Sequence, residues 1–169
     1  GGDVSRLASV ASFFVSRVDT KVDGHLMGMI DRGGAHAEKA AQFLGQAAIA
    51  NAKLAYADYQ KVFGSARFQV LKAQGARVQR PLWASTGTKN KNYSDVMYVD
   101  QLIGPDTVNT VPPATLEAFL DHGHVRAGSL EEHVAASAQA MADLEALGIS
   151  MSAVTGELEQ EGVKSFADA

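Results

Sequence analysis

The chain has 169 residues, which suffices for one ordinary domain or for a piece of a larger one. Its 15 basic and 19 acidic residues give a net charge of −4, which argues against nucleic acid or an anionic membrane surface as partner. Cysteine is absent, which excludes disulfides and thiolate metal sites. No apolar run reaches the ~18 residues of a membrane span, and the start has no signal-peptide apolar region, so we expect a soluble, cytoplasmic protein.

The first third of the chain predicts one strand followed by helices. Residues 7–15, LASVASFFV, form a short apolar run ending in aromatic and β-branched residues, which predicts a buried strand. Residues 17–34 are charged and glycine-rich, and a short helix is predicted for their central HLMGMI. Residues 35–63 lack proline and repeat apolar residues at steps of three to five, which predicts one long amphipathic helix. A shorter helix is predicted from a Ser65 N-cap to Gln74, ending at Gly75.

Two further strands are predicted in the middle of the chain. Residues 78–84 read as a second strand, and the polar loop STGTKNKN follows it. A helix is predicted over residues 93–103, where Gly104-Pro105-Asp106 ends it. The β-branched segment TVNTV, residues 107–111, predicts a third short strand.

The last third of the chain is predicted to be helical. ATLEAFLDHG follows two prolines and predicts a helix that ends at Gly123. Ser129 and Glu132 have the spacing of a capping box, which predicts the start of a helix that Gly148 closes. Residues 152–169 predict a last, weaker helix. Strands that alternate with helices indicate an α/β fold with a parallel sheet.

The small number of strands is informative in itself. Parallel strands are normally buried on both faces and need neighbours on each side, and three strands would leave two open edges. We therefore expect the chain to be the C-terminal part of a larger α/β protein.

The loop after the second strand has the composition of an anion-binding segment. Ser85, Thr86 and Thr88 supply hydroxyl groups, Gly87 allows close approach of backbone N–H groups, and Lys89 supplies charge. The spacing of a P-loop is absent. A plain solvated loop explains the same residues, and this alternative stays open. The single tryptophan, Trp83, lies directly before this loop.

The first strand ends in residues that could reach the same ligand. Ser12 and Phe14 alternate onto one face of the strand, and Arg17 lies where the strand passes into the following segment. The carboxyl ends of parallel strands are where open α/β sheets and barrels place ligand sites, so Arg17 and Lys89 could converge on one anion. The alternative for Arg17 is a surface ion pair with Asp19 or Asp23.

Three segments of the sequence carry a resemblance to a known family. SVASFFVSRVD, LWASTGTKNKNYSDVMYVDQLIGPDTVNTVPPATLEAFLDHG and the tail DLEALGI…GVKSFADA resemble the C-terminal half of the bacterial transaldolases, in the longer-chain subgroup. The resemblance covers nearly all residues. It implies that residues 1–169 are the C-terminal part, strands six to eight, of a single (β/α)8 TIM-barrel domain whose N-terminal strands are absent from this chain.

The resemblance also implies an activity. Transaldolases are class I aldolases of the pentose phosphate pathway, which transfer a dihydroxyacetone unit from sedoheptulose 7-phosphate to glyceraldehyde 3-phosphate through a lysine Schiff base. The implied partners are sugar phosphates, with no nucleic acid and no membrane, and no cofactor or metal is expected. A homo-oligomer or a complementary N-terminal half could complete the protein. The alternative function is a non-catalytic fragment or split half-barrel that binds a sugar phosphate or a complementary chain.

The resemblance assigns roles residue by residue. Ser12 and Phe14 match residues that line the substrate pocket, and Arg17 matches the arginine that binds the substrate phosphate. Ser85 matches a serine of the second phosphate-binding segment. Many transaldolases carry an arginine two residues later, where this chain has glycine, and Lys89 is the nearby cation that could replace it. Trp83 is expected to pack between its strand and the surrounding helices and so to anchor the loop.

No catalytic residue is expected in this chain. The Schiff-base lysine of the family lies on strand four, in an apolar strand followed by small residues, and no lysine here has that setting. Lys53, with its neighbours on the predicted long helix, is expected on a solvated face. The segment DHGH, residues 121–124, resembles a metal cluster, but we interpret it as a helix C-terminus at which cationic side chains are favoured.

Overall fold

The computed structural model describes residues 3–168, and a three-stranded parallel sheet lies at their centre. The strands are β1 (Ser9–Phe14), β2 (Gln79–Ala84) and β3 (Val108–Asn109), in the order β1-β2-β3. β1 pairs with β2 in parallel along its whole length, and β2 pairs with β3 in parallel. The predicted α/β fold of three parallel strands with surrounding helices is confirmed, and it is consistent with part of a (β/α)8 barrel.

Eight α-helices and one 3-10 helix surround the sheet within the described range. Their bounds are α1 (Ser16–Arg32), α2 (Ala37–Ala41), α3 (Ala47–Gly64), α4 (Ala66–Ala73), α5 (Met97–Asp100), α6 (Pro113–His122), the 3-10 helix (Ser129–Glu131), α7 (Val134–Ala146) and α8 (Met151–Ala167). α1 contacts α2, α3 and α8, and α3 packs against α7. None of these helices has the length and hydrophobicity needed to cross a membrane.

Helix α1 occupies a segment for which the sequence predicted only a short central helix, HLMGMI. It is long and regular because Val18, Val22 and Leu26, four residues apart, form one buried stripe on the core. Burial of that stripe outweighs the cost of about 1 kcal/mol for each glycine inside the helix. The glycine content of the segment was therefore misleading.

The long helix predicted over residues 35–63 is two helices, so that prediction was wrong. The chain turns between α2 and α3 at Gly45, which has a left-handed φ of 70°. The ring of Tyr93 lies against this glycine, and a Cβ at residue 45 would come within 2.8 Å of the ring. Only glycine combines that backbone conformation with that close approach. The break thus depends on a residue 48 positions away.

Lys53 lies on a buried face of α3, which corrects the expected solvated position. Its side chain is 3% exposed, and its Nζ donates to the backbone carbonyls of Ser129 and Glu132 at 2.8 and 2.9 Å. These bonds satisfy carbonyls around the 3-10 helix and compensate for burial of the ammonium group. Lys53 therefore fastens α3 to the segment that precedes α7.

Strand β1 was predicted to be buried, and this prediction was wrong. Val10 and Phe14 are 41% and 39% exposed, because β2 is the only strand beside β1 in the described part of the chain. Trp83 on β2, in contrast, is 1% exposed and packs with helical residues in the core, as expected. Its ring meets Phe13 edge to face at 5.6 Å between centroids.

Predictions of helix ends had mixed outcomes. The Ser65 cap is confirmed, since its hydroxyl accepts a hydrogen bond from the Phe68 N–H group. The capping box at Ser129 is wrong, because that hydroxyl donates to the Asp100 carbonyl and accepts from Ile103 N–H instead. The helix predicted over 93–103 is limited to α5. Residue 169, the last of the predicted final helix, lies outside the described residues.

Candidate functional site

The carboxyl ends of β1 and β2 meet at one edge of the sheet, here called the carboxyl edge. The register places Phe14 opposite Ala84, the last residues of the two strands. Beyond them, Val15 N donates to Ala84 O at 2.9 Å and Ser16 N donates to Ser85 O at 3.1 Å. Helix α1 therefore begins directly beside the start of the loop over residues 85–92.

Arg17 lies in the first turn of α1, above this edge. Its guanidinium group stacks over the ring of Phe14, 4.6 Å from the centroid, which fixes the side chain by a cation–π contact. No carboxylate of the described residues forms an ion pair with it. The alternative of an ion pair with Asp19 or Asp23 is wrong, because both carboxylates bond elsewhere.

Two cavities meet at Arg17. The first, about 300 Å³, is lined on the sheet side by Ser12, Phe14 and Arg17. The second, about 460 Å³, has three cationic residues and one carboxylate in its wall, together with Thr20, Leu158 and Ser165. The cations are Arg17, Lys21 and Lys89, and the carboxylate is Glu161. Helix α8 contributes to both cavities, so it covers this part of the carboxyl edge.

The five residues predicted for the site are brought together only in part. Ser12, Phe14 and Arg17 line one cavity, and Lys89 joins Arg17 in the other. Ser85 lies at the same edge but is not among the residues that line these two cavities. The structure therefore provides a shared cavity for Arg17 and Lys89, and places Ser85 beside it at the root of the loop.

The loop over residues 85–92 is shaped by its first residues. Ser85 has a left-handed φ of 56°, an uncommon conformation for a residue with a side chain. Thr86 is fully buried, and its hydroxyl donates to Asn109 Oδ1 at 2.8 Å, which ties the loop to β3. Farther along, the Thr88 hydroxyl donates to the Ser94 carbonyl. The loop is thus held at several points rather than being freely solvated.

Comparison with known proteins identifies the family. The model of the transaldolase/fructose-6-phosphate aldolase family matches residues 3–169. The chain belongs to this family. A protein named transaldolase from Mycolicibacterium smegmatis is 51% identical over 166 residues, covering 98% of this chain and 43% of that protein. Another, from Saccharopolyspora erythraea, has the same identity and coverage, and transaldolase 2 of a Nostoc species is 50% identical over 98% of this chain and 45% of its own length. The chain spans less than half of each of these relatives.

The backbone at Gly87 lies close to the start of α6. A Cβ at Gly87 would lie 3.3 Å from Pro112 Cγ and 3.4 Å from Thr115 Oγ1, both at the start of α6. Such distances are tight, so a larger residue would need a shift of the loop or of α6. The cation in this part of the cavity is Lys89, two residues farther along.

Sequence reasoning missed a cluster of two aspartates and two tyrosines beside the loop. Asp19 Oδ2 accepts from Tyr98 Oη at 2.6 Å, and Asp23 Oδ2 accepts from Tyr93 Oη at 2.7 Å. The two aspartates are one helical turn apart on α1, and this spacing was a readable signal. It was overlooked because the predicted short helix, HLMGMI, begins after both aspartates.

Burial controls the ionisation of this cluster. Burial raises the pKa of Asp19 to about 6, although the hydrogen bonds from Tyr98 and Ala48 favour the charged carboxylate. Burial likewise raises the pKa of Tyr93 and of Tyr98, and in both cases the neighbouring carboxylate adds to the effect. Both phenols are therefore neutral hydrogen-bond donors at physiological pH.

The histidine segment at the end of α6 forms a surface ion-pair cluster. His122 contacts Asp95 at 2.8 Å and Asp121 at 3.0 Å, and these contacts raise its pKa. Among residues 3–168, no group of three or more histidine, aspartate or glutamate side chains has the geometry to hold a metal ion.

Proposed function

We propose that this chain is the C-terminal part, strands six to eight, of the single (β/α)8 barrel domain of a transaldolase, and that it supplies the site for the substrate phosphate. The proposed reaction transfers a dihydroxyacetone unit from sedoheptulose 7-phosphate to glyceraldehyde 3-phosphate. The observation that supports this most directly is the cavity lined by both Arg17 and Lys89, neither of which forms an ion pair among the described residues.

The electrostatics of this cavity suit a phosphate group. Arg17 is fixed by the Phe14 ring and can offer two parallel N–H donors to phosphate oxygens. Glu161 is the one carboxylate in the wall, and it is engaged by Lys21, whose Nζ lies 2.5 Å from its Oε1 and also contacts Glu157. The cavity thus keeps two available cations for a dianionic ligand. Ser12 and Phe14, in the adjoining cavity, would contact the sugar.

The nucleophilic lysine is proposed to lie outside this chain. Lys53 is the one buried lysine among residues 3–168, and burial lowers its pKa, as a nucleophile requires. Its ammonium group, however, donates to two backbone carbonyls, and it lines a different cavity from that of Arg17. We therefore assign Lys53 a structural role and place the Schiff base on the missing part of the barrel.

The test uses a full-length protein, here called the hybrid protein, in which this chain replaces the matching 43% of the Mycolicibacterium smegmatis relative. We expect transfer activity with the two sugar phosphates. Borohydride reduction in the presence of fructose 6-phosphate should label a lysine outside this chain, located by peptide mass. A folded but inactive hybrid protein, beside an active parent, would contradict the proposal, and so would a label on a lysine of this chain.

Arg17→Ala in the hybrid protein tests the phosphate site itself. A charge-assisted hydrogen bond contributes about 1.5–3 kcal/mol, so KM for phosphorylated substrates should rise at least about tenfold. KM for dihydroxyacetone, which has no phosphate, should change little. Arg67→Ala is the matched control, because Arg67 is an exposed arginine on α4. An equal loss with both substrates would show that Arg17 is structural.

A second candidate function is supported by the exposed strand β1. Val10 and Phe14 of β1 are 41% and 39% exposed, and Leu7, just before the strand, is 66% exposed. The outer edge of β1 has no partner strand within residues 3–168. Such an edge readily pairs with another chain. A separate N-terminal half-barrel could therefore assemble with this chain. Mixing the two separately produced halves tests this: activity that appears at a 1:1 ratio supports assembly in trans.

The cellular setting follows from the proposed substrates. Sugar phosphates are charged and do not cross a bilayer unaided, so we propose the cytoplasm as the location. A homo-oligomer is also proposed, and sedimentation of the hybrid protein measures its state.

A further inference from the structure

We propose that Asp23 and Tyr93 are positioning residues: they fasten the end of the loop over residues 85–92 to helix α1 and so hold Lys89 at the cavity that it shares with Arg17. This inference rests on the proposed function, because it concerns how the phosphate cavity is kept in shape. It assigns no chemistry to either residue.

The contact joins three segments through one carboxylate. Asp23 Oδ2 accepts from Tyr93 Oη at 2.7 Å, and Asp23 Oδ1 accepts from Gly45 N–H at 3.0 Å. The Tyr93 ring in turn lies against Gly45, where no side chain fits. Because the ring and the hydroxyl are both held, Tyr93 has one position relative to α1. Arg17 is on the same helix, so the contact fixes the loop to the element that carries the arginine.

The loop is closed between this anchor and the strand. At its start, Ser85 O accepts from Ser16 N–H, and the Thr86 hydroxyl donates to Asn109. At its end, Tyr93 N–H donates to the Asn90 carbonyl at 3.1 Å. Lys89 lies between these fixed points. Its backbone position therefore depends on both ends of the loop, and Tyr93 is the side chain that anchors the second end to α1.

Lys89 borders two cavities, which gives the anchor a functional consequence. On one side is the cavity it shares with Arg17, and on the other is a smaller cavity, about 240 Å³, that contains Asp19 and Asp23. A lysine placed between an anion site and two carboxylates can be drawn towards either. Engagement of the Asp23 carboxylate by Tyr93 and Gly45 reduces its capacity to attract Lys89. The same contact thus positions the loop and favours the orientation of Lys89 towards the phosphate cavity.

The neighbouring Asp19–Tyr98 contact provides a matched control. It has the same chemistry, a tyrosine hydroxyl donating to an aspartate of α1, and Asp19 Oδ1 likewise accepts from a backbone N–H group, that of Ala48. Tyr98, however, belongs to α5 and to the core, several residues beyond the loop. Loss of its hydroxyl should affect stability without moving Lys89.

The experiment compares Tyr93→Phe with Tyr98→Phe in the hybrid protein. For Tyr93→Phe we expect KM for fructose 6-phosphate and the inhibition constant of inorganic phosphate to rise about tenfold, with kcat within twofold. For Tyr98→Phe we expect both constants to stay within twofold. Equal effects of the two variants would overturn the proposal, as would unchanged constants in Tyr93→Phe or its failure to fold.

A double-mutant cycle with Lys89→Gln decides whether the anchor acts through Lys89. If it does, Tyr93→Phe should have little further effect on phosphate inhibition in the Lys89→Gln background, so the two effects should not add. Additive effects, or no effect of Lys89→Gln alone, would overturn the inference while leaving the Arg17 site intact. A hybrid protein without transfer activity would instead contradict the proposed function, so the two failures can be told apart.

Discussion

Helix α1 is held on two sides by polar contacts of similar length but very different surroundings. On its inner side, Asp19 and Asp23 accept hydrogen bonds from tyrosines and from backbone N–H groups, and Asp19 is 2% exposed. On its outer side, Lys21 binds Glu157 and Glu161 of α8 at 2.9 and 2.5 Å. The lysine side chain there is 23% exposed and the two glutamates are 53% and 61% exposed.

The contacts on these two sides of α1 hold different walls of the cavity that Arg17 and Lys89 share. On the inner side, the Asp23–Tyr93 contact fixes the loop that carries Lys89. On the outer side, the Lys21 contacts fix α8, which contributes Leu158 and Glu161. Contacts removed from water gain strength, and they cost more when one partner is lost, whereas exposed ion pairs are screened by solvent and salt. We therefore expect the loop wall to be rigid and the α8 wall to be easier to displace.

The largest effect is expected from Asp19→Ala. The substitution removes two hydrogen bonds to a carboxylate and leaves the Tyr98 hydroxyl and the Ala48 N–H group buried without that partner. We expect the free energy of unfolding of the hybrid protein to fall by about 3 kcal/mol, measured by urea denaturation. A loss below about 1 kcal/mol would show that the inner contacts are no stronger than surface ones.

A smaller effect is expected from titration of Asp19. Its pKa is about 6 in the folded chain, whereas the ordinary value of an aspartate, expected in the unfolded chain, is 3.8. The folded state therefore binds the proton more tightly. The stabilisation is fully present below about pH 4 and decreases by about 2 kcal/mol between about pH 4 and about pH 6. The remainder is lost as the pH rises above the folded pKa. The groups that face Asp19 are Asp23, Tyr98 and, across the small cavity, Lys89. They remain in the Asp19→Asn variant, which should lack this part of the pH dependence. Parallel pH profiles for the two proteins would contradict the assignment.

The fold could be predicted from the sequence wherever local pattern and burial agree. The three strands, the Ser65 cap and the helix that ends before Gly148 follow from short-range signals. The division between α2 and α3 could not be predicted, because it depends on the Tyr93 ring against Gly45. The capping box at Ser129 failed for the same kind of reason, because its hydroxyl bonds to the backbone of Asp100 and Ile103, which lie far away in the sequence.

In the candidate site, too, features set by local sequence were predicted and features set by distant residues were missed. Arg17 and Lys89 were predicted because strand ends and charge are visible in sequence, and the structure places both in one cavity. The aspartate–tyrosine contacts and the burial of Lys53 were missed, because they join segments far apart in the chain. The roles in substrate binding of all five predicted residues stay predictions; these are Ser12, Phe14, Arg17, Ser85 and Lys89.

The smallest effect is expected from Lys21→Met, which removes the outer contacts of α1. The ion pairs with Glu157 and Glu161 are largely exposed, so the change in urea midpoint should be far below that of Asp19→Ala and should shrink further at high salt. Lys39→Met is the matched control, since it removes the Lys39–Asp143 surface pair between α2 and α7. Because α8 would be held less firmly, proteolytic cleavage in α8 should become faster with Lys21→Met and not with Lys39→Met. A loss of stability comparable to that of Asp19→Ala would mean that the outer contacts also hold the fold, and the contrast between the two walls would be wrong.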